Sequence, residues 1–108
     1  MGGCGIESSA YEDGIDTIIT CDNGIAAAKE LRKAKELGMT VIVTDHHEPG
    51  NELPEALAVV DAKRKDNKYP FRNLAGVGVV FKLIQAIGME LNLDEKEYLK
   101  YLDIVCIG

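Results

Sequence analysis

The sequence predicts an α/β fold, a parallel sheet with flanking helices, from two observations. Residues 17–21 and 41–44 are short runs of β-branched and apolar residues on both faces, which is typical of buried parallel strands. A helical repeat lies between them, so strand, helix and strand follow one another with short connections as a right-handed βαβ unit. At 108 residues the chain is one domain at most.

The first strand is expected over residues 17–21 and ends at an Asp-Asn-Gly turn signal. From residue 25 to residue 37, small and apolar side chains recur every three positions, which indicates a helix. Gly38 follows as its C-terminal stop. The second strand, residues 41–44, runs directly into Asp-His-His.

The second half of the chain begins with a loop-rich segment, residues 48–73, which contains all three prolines. Inside it, residues 57–60 are expected to form a short third strand. Apolar residues at spacings of three and four predict an amphipathic helix over residues 74–91. Asp94 and Glu97 resemble a capping box, which predicts one last helix continuing to residue 105.

Composition excludes several classes of protein. Apolar residues make up 46% and charged residues 28% of the chain, which are values of a globular domain. No apolar run reaches the roughly 20 residues of a membrane span, and no signal peptide is visible. Three widely spaced cysteines form no zinc or disulfide pattern, so we expect a reducing, cytoplasmic location.

The formal charge of −6 argues against bulk electrostatic binding to nucleic acid, but the charge is uneven. Residues 63–72 carry five basic side chains against Asp66 alone. The five are Lys63, Arg64, Lys65, Lys68 and Arg72. Two interpretations stay open for this segment: a local contact with phosphate, or a solvated loop that is basic without a ligand.

Side chains that can bind metal or act in catalysis follow both of the first two predicted strands. In open parallel sheets, ligands bind at the carboxyl ends of the strands, and neighbouring strands lie about 4.8 Å apart. Asp22 and His46 can therefore reach one point, where a carboxylate and an imidazole suit a divalent metal such as Mn²⁺. Asp22 alone could equally be a turn former or a helix N-cap. Adjacent histidines at a strand end are harder to explain in that way.

Four segments, in the same order, resemble one known family. The chain carries Val-Thr-Asp-His-His-Glu-Pro-Gly at 43–50, followed by Leu-Pro at 53–54. This run resembles the signature of the DHH phosphoesterase superfamily in its RecJ branch. Residues 18–25 resemble the second motif of that family, residues 69–83 the segment beyond the double histidine, and residues 102–108 the start of its fourth motif. The resemblance covers nearly all of residues 15–108.

The resemblance implies a metal-dependent exonuclease specific for single-stranded DNA. The expected reaction is Mn²⁺-dependent hydrolysis of phosphodiester bonds, from the 5′ end, at a two-metal site, with Mg²⁺ as the alternative ion. Single-stranded DNA is the implied partner, together with proteins of DNA repair or recombination. Carried over by position, Asp22 is the ligand that bridges two metal ions, His46 is a metal ligand, and Asp103 is a further metal ligand.

The resemblance also implies residues that act on substrate. His47 is expected to face the substrate phosphate in the catalytic site. Asp45 is expected at the edge of the metal site, where it would orient a ligand and so belong to the catalytic group. The charge of the basic segment, rather than the resemblance, leads us to expect that Lys63 and Arg64 contact the substrate.

The chain also departs from the family pattern. The aspartate-rich first motif and the C-terminal substrate-binding domain are not found, so we expect residues 1–108 to be an incomplete DHH catalytic domain that is inactive alone. Asp-Ala at 61–62 replaces the usual Asn-Pro pair. Two other functions stay open: a phosphoesterase acting on short oligonucleotides or cyclic dinucleotides, and a non-catalytic relative that binds single strands. The Tyr-Pro-Phe and Ala-Gly-Val-Gly-Val runs favour the RecJ branch.

Overall fold

Three short strands form one parallel sheet with helices packed around it. The computed structural model describes residues 6–108. The strands are β1 (Thr17–Cys21), β2 (Thr40–Thr44) and β3 (Ala58–Val60), in the sheet order β1-β2-β3. The helices are α1 (Ile6–Glu12), α2 (Ala28–Glu36), α3 (Gly76–Glu90), α4 (Lys96–Leu99) and α5 (Leu102–Ile107). The predicted parallel sheet with flanking helices is confirmed.

The core lies where α1 and α2 meet the central strand. Val43, the fourth residue of β2, is completely buried, and so is Ala34 on the inner face of α2. The members of the buried cluster are Ala10, Leu31, Ala34, Met39, Val41 and Val43. α3 contacts both β1 and β2. Burial of these apolar side chains, rather than helix propensity, holds the short helices in place.

The expectation that β1 is buried on both faces is wrong for this structure. The strand alternates between exposed and half-buried residues, and Ile19 is 60% exposed. The reason is position: within residues 6–108, β1 is an edge strand that pairs only with β2. An apolar run on both faces shows that a strand can be buried. Whether it is buried depends on the strands and helices that pack beside it.

α3 is slightly shorter than the helix predicted over residues 74–91, and the helices differ from the predicted ones at three further places. α2 begins at residue 28 rather than 25, because a turn closed by the Ala27 N–H on the Gly24 carbonyl comes first. The single last helix is divided into α4 and α5, and Glu97 lies beside Lys100 instead of reaching back toward Asp94. α1 was not predicted, because residues 7–12 contribute only Ala10 to the buried cluster.

None of the helices within residues 6–108 is long and apolar enough to cross a membrane. That agrees with the absence of a long apolar run in the sequence.

We predict that Val43→Ala lowers the free energy of unfolding by about 2 kcal/mol, through two lost methyl groups and the cavity they leave. The control is Leu57→Ala, which removes a larger side chain that is 74% exposed. It should change the free energy by less than about 0.5 kcal/mol. Urea denaturation monitored by circular dichroism measures both. Equal losses would contradict the placement of the core.

Candidate metal centre

An aspartate follows each of the three strands at the same edge of the sheet. Cys21 is aligned with Thr44, and Thr44 is aligned with Val60, so the residues that come next are also neighbours. These are Asp22, Asp45 and Asp61. The Asp45 N–H donates to the Val60 carbonyl at 3.1 Å, which extends the pairing one residue beyond the strands. The register therefore brings three carboxylates to the carboxyl edge, where parallel sheets bind ligands.

Asp22 has a left-handed backbone, with φ of 59°. This conformation is uncommon outside glycine, and aspartate is among the residues that tolerate it. It directs the carboxylate toward the next strand, where Oδ1 lies 2.6 Å from Nε2 of His46. α3 begins directly behind this carboxylate. A Cβ at Gly76 would lie 2.5 Å from Asp22 Oδ1, so only glycine permits the approach.

The buried carboxylate of Asp45 organises the rest of the edge. Its Oδ2 accepts the Ile25 N–H at 3.0 Å, across from the end of β1. Its Oδ1 accepts the N–H groups of His46 at 2.8 Å and His47 at 3.3 Å. Burial acts to raise the pKa of Asp45, but the hydrogen bonds from Ile25, His46 and His47 together outweigh it and hold that pKa below its usual value. Asp45 is therefore a charged acceptor at neutral pH.

The two histidines point their ring nitrogens in different directions. Nδ1 of His47 lies 2.6 Å from Asp45 Oδ1, which places a proton on Nδ1 and leaves Nε2 for a ligand or substrate. His46 presents Nε2 to Asp22. The ring centroids are 4.3 Å apart, with the planes inclined at 41°. The contact of Asp45 with His47 resembles the one by which a carboxylate orients a metal-binding or catalytic histidine.

Within residues 6–108, four side chains can each offer one ligand atom to a common centre. They are Asp22, Asp45, His46 and His47, and their ligand atoms all lie within 4.8 Å of one another. Oxygen ligands lie about 2.0–2.6 Å from Mg²⁺ or Ca²⁺, so donors on opposite sides of one ion are about 4–5 Å apart. Carboxylate with imidazole suits Mn²⁺ by the chemistry of the donors. Because both Asp45 oxygens already accept hydrogen bonds, we assign it to orientation.

Asp103 is not in this group of four. It lies exposed in the first turn of α5, and its Oδ1 accepts the Ile104 N–H at 2.8 Å. Its predicted role as a metal ligand stays a prediction. The substrate contacts expected of Lys63 and Arg64 also stay predictions.

The structure gives Arg64 another task in the loop after β3. Its guanidinium donates to both oxygens of Asp66, at 2.9 and 2.6 Å, and to the Val59 carbonyl at 2.7 Å. The hydrogen bond to Asp66 raises the pKa of Arg64. Its donors are therefore largely engaged in holding the loop, and the lysines around it are the freer cations of the segment.

Asp61 is the residue of this edge that the motifs did not identify as functional. It is 5% exposed, and its Oδ1 accepts the Lys63 N–H at 2.8 Å. Its Oδ2 is buried without a hydrogen-bond partner among residues 6–108. Burial raises the pKa of Asp61, and the Asp45 carboxylate adds to that effect. The available signal was its place after the third strand, matching Asp22 and Asp45.

The fold and this site together define an α/β domain with a candidate divalent-metal centre at the carboxyl edge of its sheet. The family model of the DHH family, N-terminal domain, matches residues 5–108. The chain belongs to the DHH family, which confirms the resemblance seen in its motifs.

Comparison with individual proteins shows similarity to RecJ exonucleases within this family. The chain is 53% identical over 100 residues to the single-stranded-DNA-specific exonuclease RecJ of Bacillus subtilis, covering 93% of this chain and 12% of that protein. It is similar to the crystal structure of exonuclease RecJ bound to manganese, with a TM-score of 0.66 and 34% identity over 83% of this chain and 23% of that one. RecJ of Thermus thermophilus in complex with Mn²⁺ matches with a TM-score of 0.62 and 36% identity, over 80% and 13%. The chain spans less than a quarter of each.

We predict that Asp45→Asn lowers the free energy of unfolding by about 1–3 kcal/mol at pH 7, because an amide cannot accept all four hydrogen bonds. A lowered pKa means that the unfolded chain binds the proton more readily, so this stabilisation is present above the ordinary carboxyl pKa. It is lost as pH falls through the lowered pKa of folded Asp45. Urea titrations at several pH values should therefore show the two proteins converging in acid.

The matched control is Asp13→Asn, an exposed acid in the turn after α1. It should change stability by less than about 0.5 kcal/mol at every pH. If Asp45→Asn lowers the free energy of unfolding no more than this control does, the Asp45 carboxylate does not organise the edge of the sheet.

Proposed function

We propose that residues 1–108 are part of the catalytic domain of a RecJ-like phosphoesterase that hydrolyses phosphodiester bonds in single-stranded DNA with Mn²⁺. The observation that carries the proposal is the pairing of Asp22 with His46 beside the pairing of Asp45 with His47, at one edge of a parallel sheet. The substrate comes from the similarity to RecJ exonucleases. The remaining metal ligands and the substrate-binding domain belong to the rest of a longer protein.

The four residues of the centre have separate tasks in this mechanism. Asp22 Oδ1 and His46 Nε2 would hold the metal, and Asp103 would supply a further ligand. When bound, the metal supplies Lewis-acid chemistry, lowering the pKa of a coordinated water and neutralising charge on the phosphoryl oxygens.

His47 acts on the substrate in this proposal. Its Nε2 is directed away from Asp45, and a proton there donates a hydrogen bond to a phosphoryl oxygen. The charged Asp45 carboxylate accepts the Nδ1 hydrogen bond and fixes the ring orientation. Asp45 therefore acts as a positioning residue, while His47 touches the substrate.

A reducing, cytoplasmic setting is part of the proposal, because the thiols of Cys21 and Cys106 are free and exposed. Proteins of DNA repair or recombination stay the predicted partners, since the family resemblance alone supports them.

We predict that Asp22→Asn or His46→Asn, made in the full-length protein, lowers Mn²⁺-dependent degradation of 5′-labelled single-stranded DNA by about 100-fold or more, through loss of a metal ligand. The control is Asp94→Asn, an exposed acid before α4 that should leave the rate unchanged. The 108-residue chain itself should show no degradation. Full activity of Asp22→Asn with unchanged Mn²⁺ dependence would refute the metal assignment.

We predict weak binding of single-stranded DNA by the 108-residue chain that disappears near physiological salt, because few phosphates can be neutralised against a net charge of −6. The double variant Lys63→Ala, Lys65→Ala should weaken it further and reduce the salt slope by about 0.7 for each lost contact. Arg64 is left intact because it holds the loop. Fluorescence anisotropy at several salt concentrations measures both effects.

The matched control removes the same charge from α2, with Lys29→Ala and Lys33→Ala. If this variant weakens binding as much as the loop variant, net charge rather than a local contact governs the interaction. Tight binding that barely responds to salt would point to a recognition surface elsewhere on the chain.

A further inference from the structure

Two threonine hydroxyls tie the turn that carries Asp22 to the central strand. Thr20 Oγ1 donates to the Asn23 carbonyl at 2.6 Å and accepts the Thr44 N–H at 3.3 Å. Thr44 Oγ1 donates to the Thr20 carbonyl at 2.5 Å. We call this pair of side chains the threonine bridge. It joins the ends of β1 and β2 just before the aspartates of the candidate centre, Asp22 and Asp45.

The Thr20 hydroxyl acts as both donor and acceptor. A hydroxyl has one proton to donate and two lone pairs that accept. The proton goes to the carbonyl of Asn23, and a lone pair takes the backbone N–H of Thr44 on β2. Because Asp22 lies between Thr20 and Asn23 in the chain, the first of these bonds spans it. One oxygen atom therefore fixes both the closure of the turn and its distance from β2.

The backbone of Asp22 needs such a restraint. Its φ of 59° lies in the left-handed region, which a residue other than glycine retains only where surrounding contacts fix it. This conformation aims the carboxylate at His46, with Oδ1 2.6 Å from Nε2. A turn that relaxed to an extended or right-handed backbone would carry the carboxylate away from the imidazole. The bond from Thr20 to Asn23 closes the turn in the conformation that keeps the two ligand atoms together.

The fold also leaves room for this hydroxyl. Gly24 ends the turn with φ of 110°, a conformation that favours glycine. A Cβ at that position would lie 2.8 Å from Thr20 Oγ1, which is closer than a side chain can approach it. The glycine therefore makes space for the threonine bridge, just as Gly76 makes space for the Asp22 carboxylate.

We propose that Thr20 is a positioning residue of the metal centre, whose hydroxyl fixes the turn that holds the Asp22 carboxylate against His46. The inference rests on the proposed function, because this pair of side chains serves catalysis only if it binds a metal. Thr20 acts through the backbone of residues 22–23 and not on the substrate. Loss of its hydroxyl should therefore move the Asp22 carboxylate without changing the charge of the site.

The first test measures the contact of Asp22 with His46 in the 108-residue chain without metal. In EDTA, ¹⁵N NMR of the His46 ring, detected through its carbon-bound protons, should show a proton held on Nε2. Thr20→Ala should shift this Nε2 resonance toward its value in Asp22→Asn. Thr20→Ser retains the hydroxyl and should keep the wild-type resonance. The matched control is Thr17→Ala, which removes a hydroxyl bonded to Asp16 at the exposed start of the same strand and should also keep it.

The second test measures Mn²⁺ affinity in the full-length protein, by electron paramagnetic resonance of the free ion. We expect Thr20→Ala to bind Mn²⁺ about tenfold more weakly, the size of effect seen when a group that orients a metal ligand is removed. Thr20→Ser and Thr17→Ala should bind as the wild type does. If circular dichroism shows that Thr20→Ala does not fold, Thr44→Val takes its place and should also weaken Mn²⁺ binding. It removes the other hydroxyl of the threonine bridge and keeps the branched shape of a buried side chain.

Three results would each overturn the positioning role of Thr20. They are a wild-type His46 resonance in Thr20→Ala, a Thr20→Ser variant as impaired as Thr20→Ala, and wild-type Mn²⁺ affinity in Thr20→Ala where Asp22→Asn binds the ion weakly. Failure of the proposed function gives a different result, because Asp22→Asn would then leave Mn²⁺ affinity unchanged. In that case the metal assignment is wrong, and the His46 resonance alone decides whether Thr20 positions the carboxylate.

Discussion

The buried carboxylate of Asp45 is the interaction on which this edge of the molecule depends. Taking a charge out of water is expensive, and a protein retains it only where hydrogen bonds compensate. Asp45 meets that condition by accepting from the turn after β1 and from both residues that follow it. One side chain therefore fixes the spacing of two strand ends, the turn of the double histidine and the orientation of His47. The candidate metal centre is therefore held together by hydrogen bonds to Asp45 that the fold would need even if the site bound no metal.

The strands and the long helix could be predicted because their signals are local. Thr17–Cys21 and Gly76–Glu90 are specified by β-branched runs and by apolar periodicity within their own segments. The exposure of Ile19 could not be predicted, since it depends on what lies beside β1. Nor could α1, because its residues 7–12 add one alanine to the buried cluster. The local sequence pattern determines whether a segment forms a strand or a helix, and long-range packing determines which of its side chains are buried.

The candidate centre was predictable to the extent that strand ends share an edge. Asp22 and the 45–47 triplet were placed there by the strand pattern alone, and the structure brings their ligand atoms together. The engagement of Arg64 by Asp66 and Val59 is a loop contact, and the 5% exposure of Asp61 is a property of its surroundings after β3. Both need three-dimensional neighbours that spacing along the chain does not reveal. For Asp103 the two sources differ. The motif predicts a metal ligand, whereas the structure shows an exposed residue in the first turn of α5.

The missing side chain at Gly76 has a consequence for how this domain can evolve. The carboxylate of Asp22 occupies the space where a Cβ would stand. Even an alanine at that position would force the carboxylate or the start of α3 to move, although the two residues are distant in the chain. A side chain at position 76 is therefore accommodated only where the acid at position 22 is lost or the carboxylate and α3 move apart. In a relative that lacks the acid at position 22, we expect residues other than glycine to be tolerated at position 76.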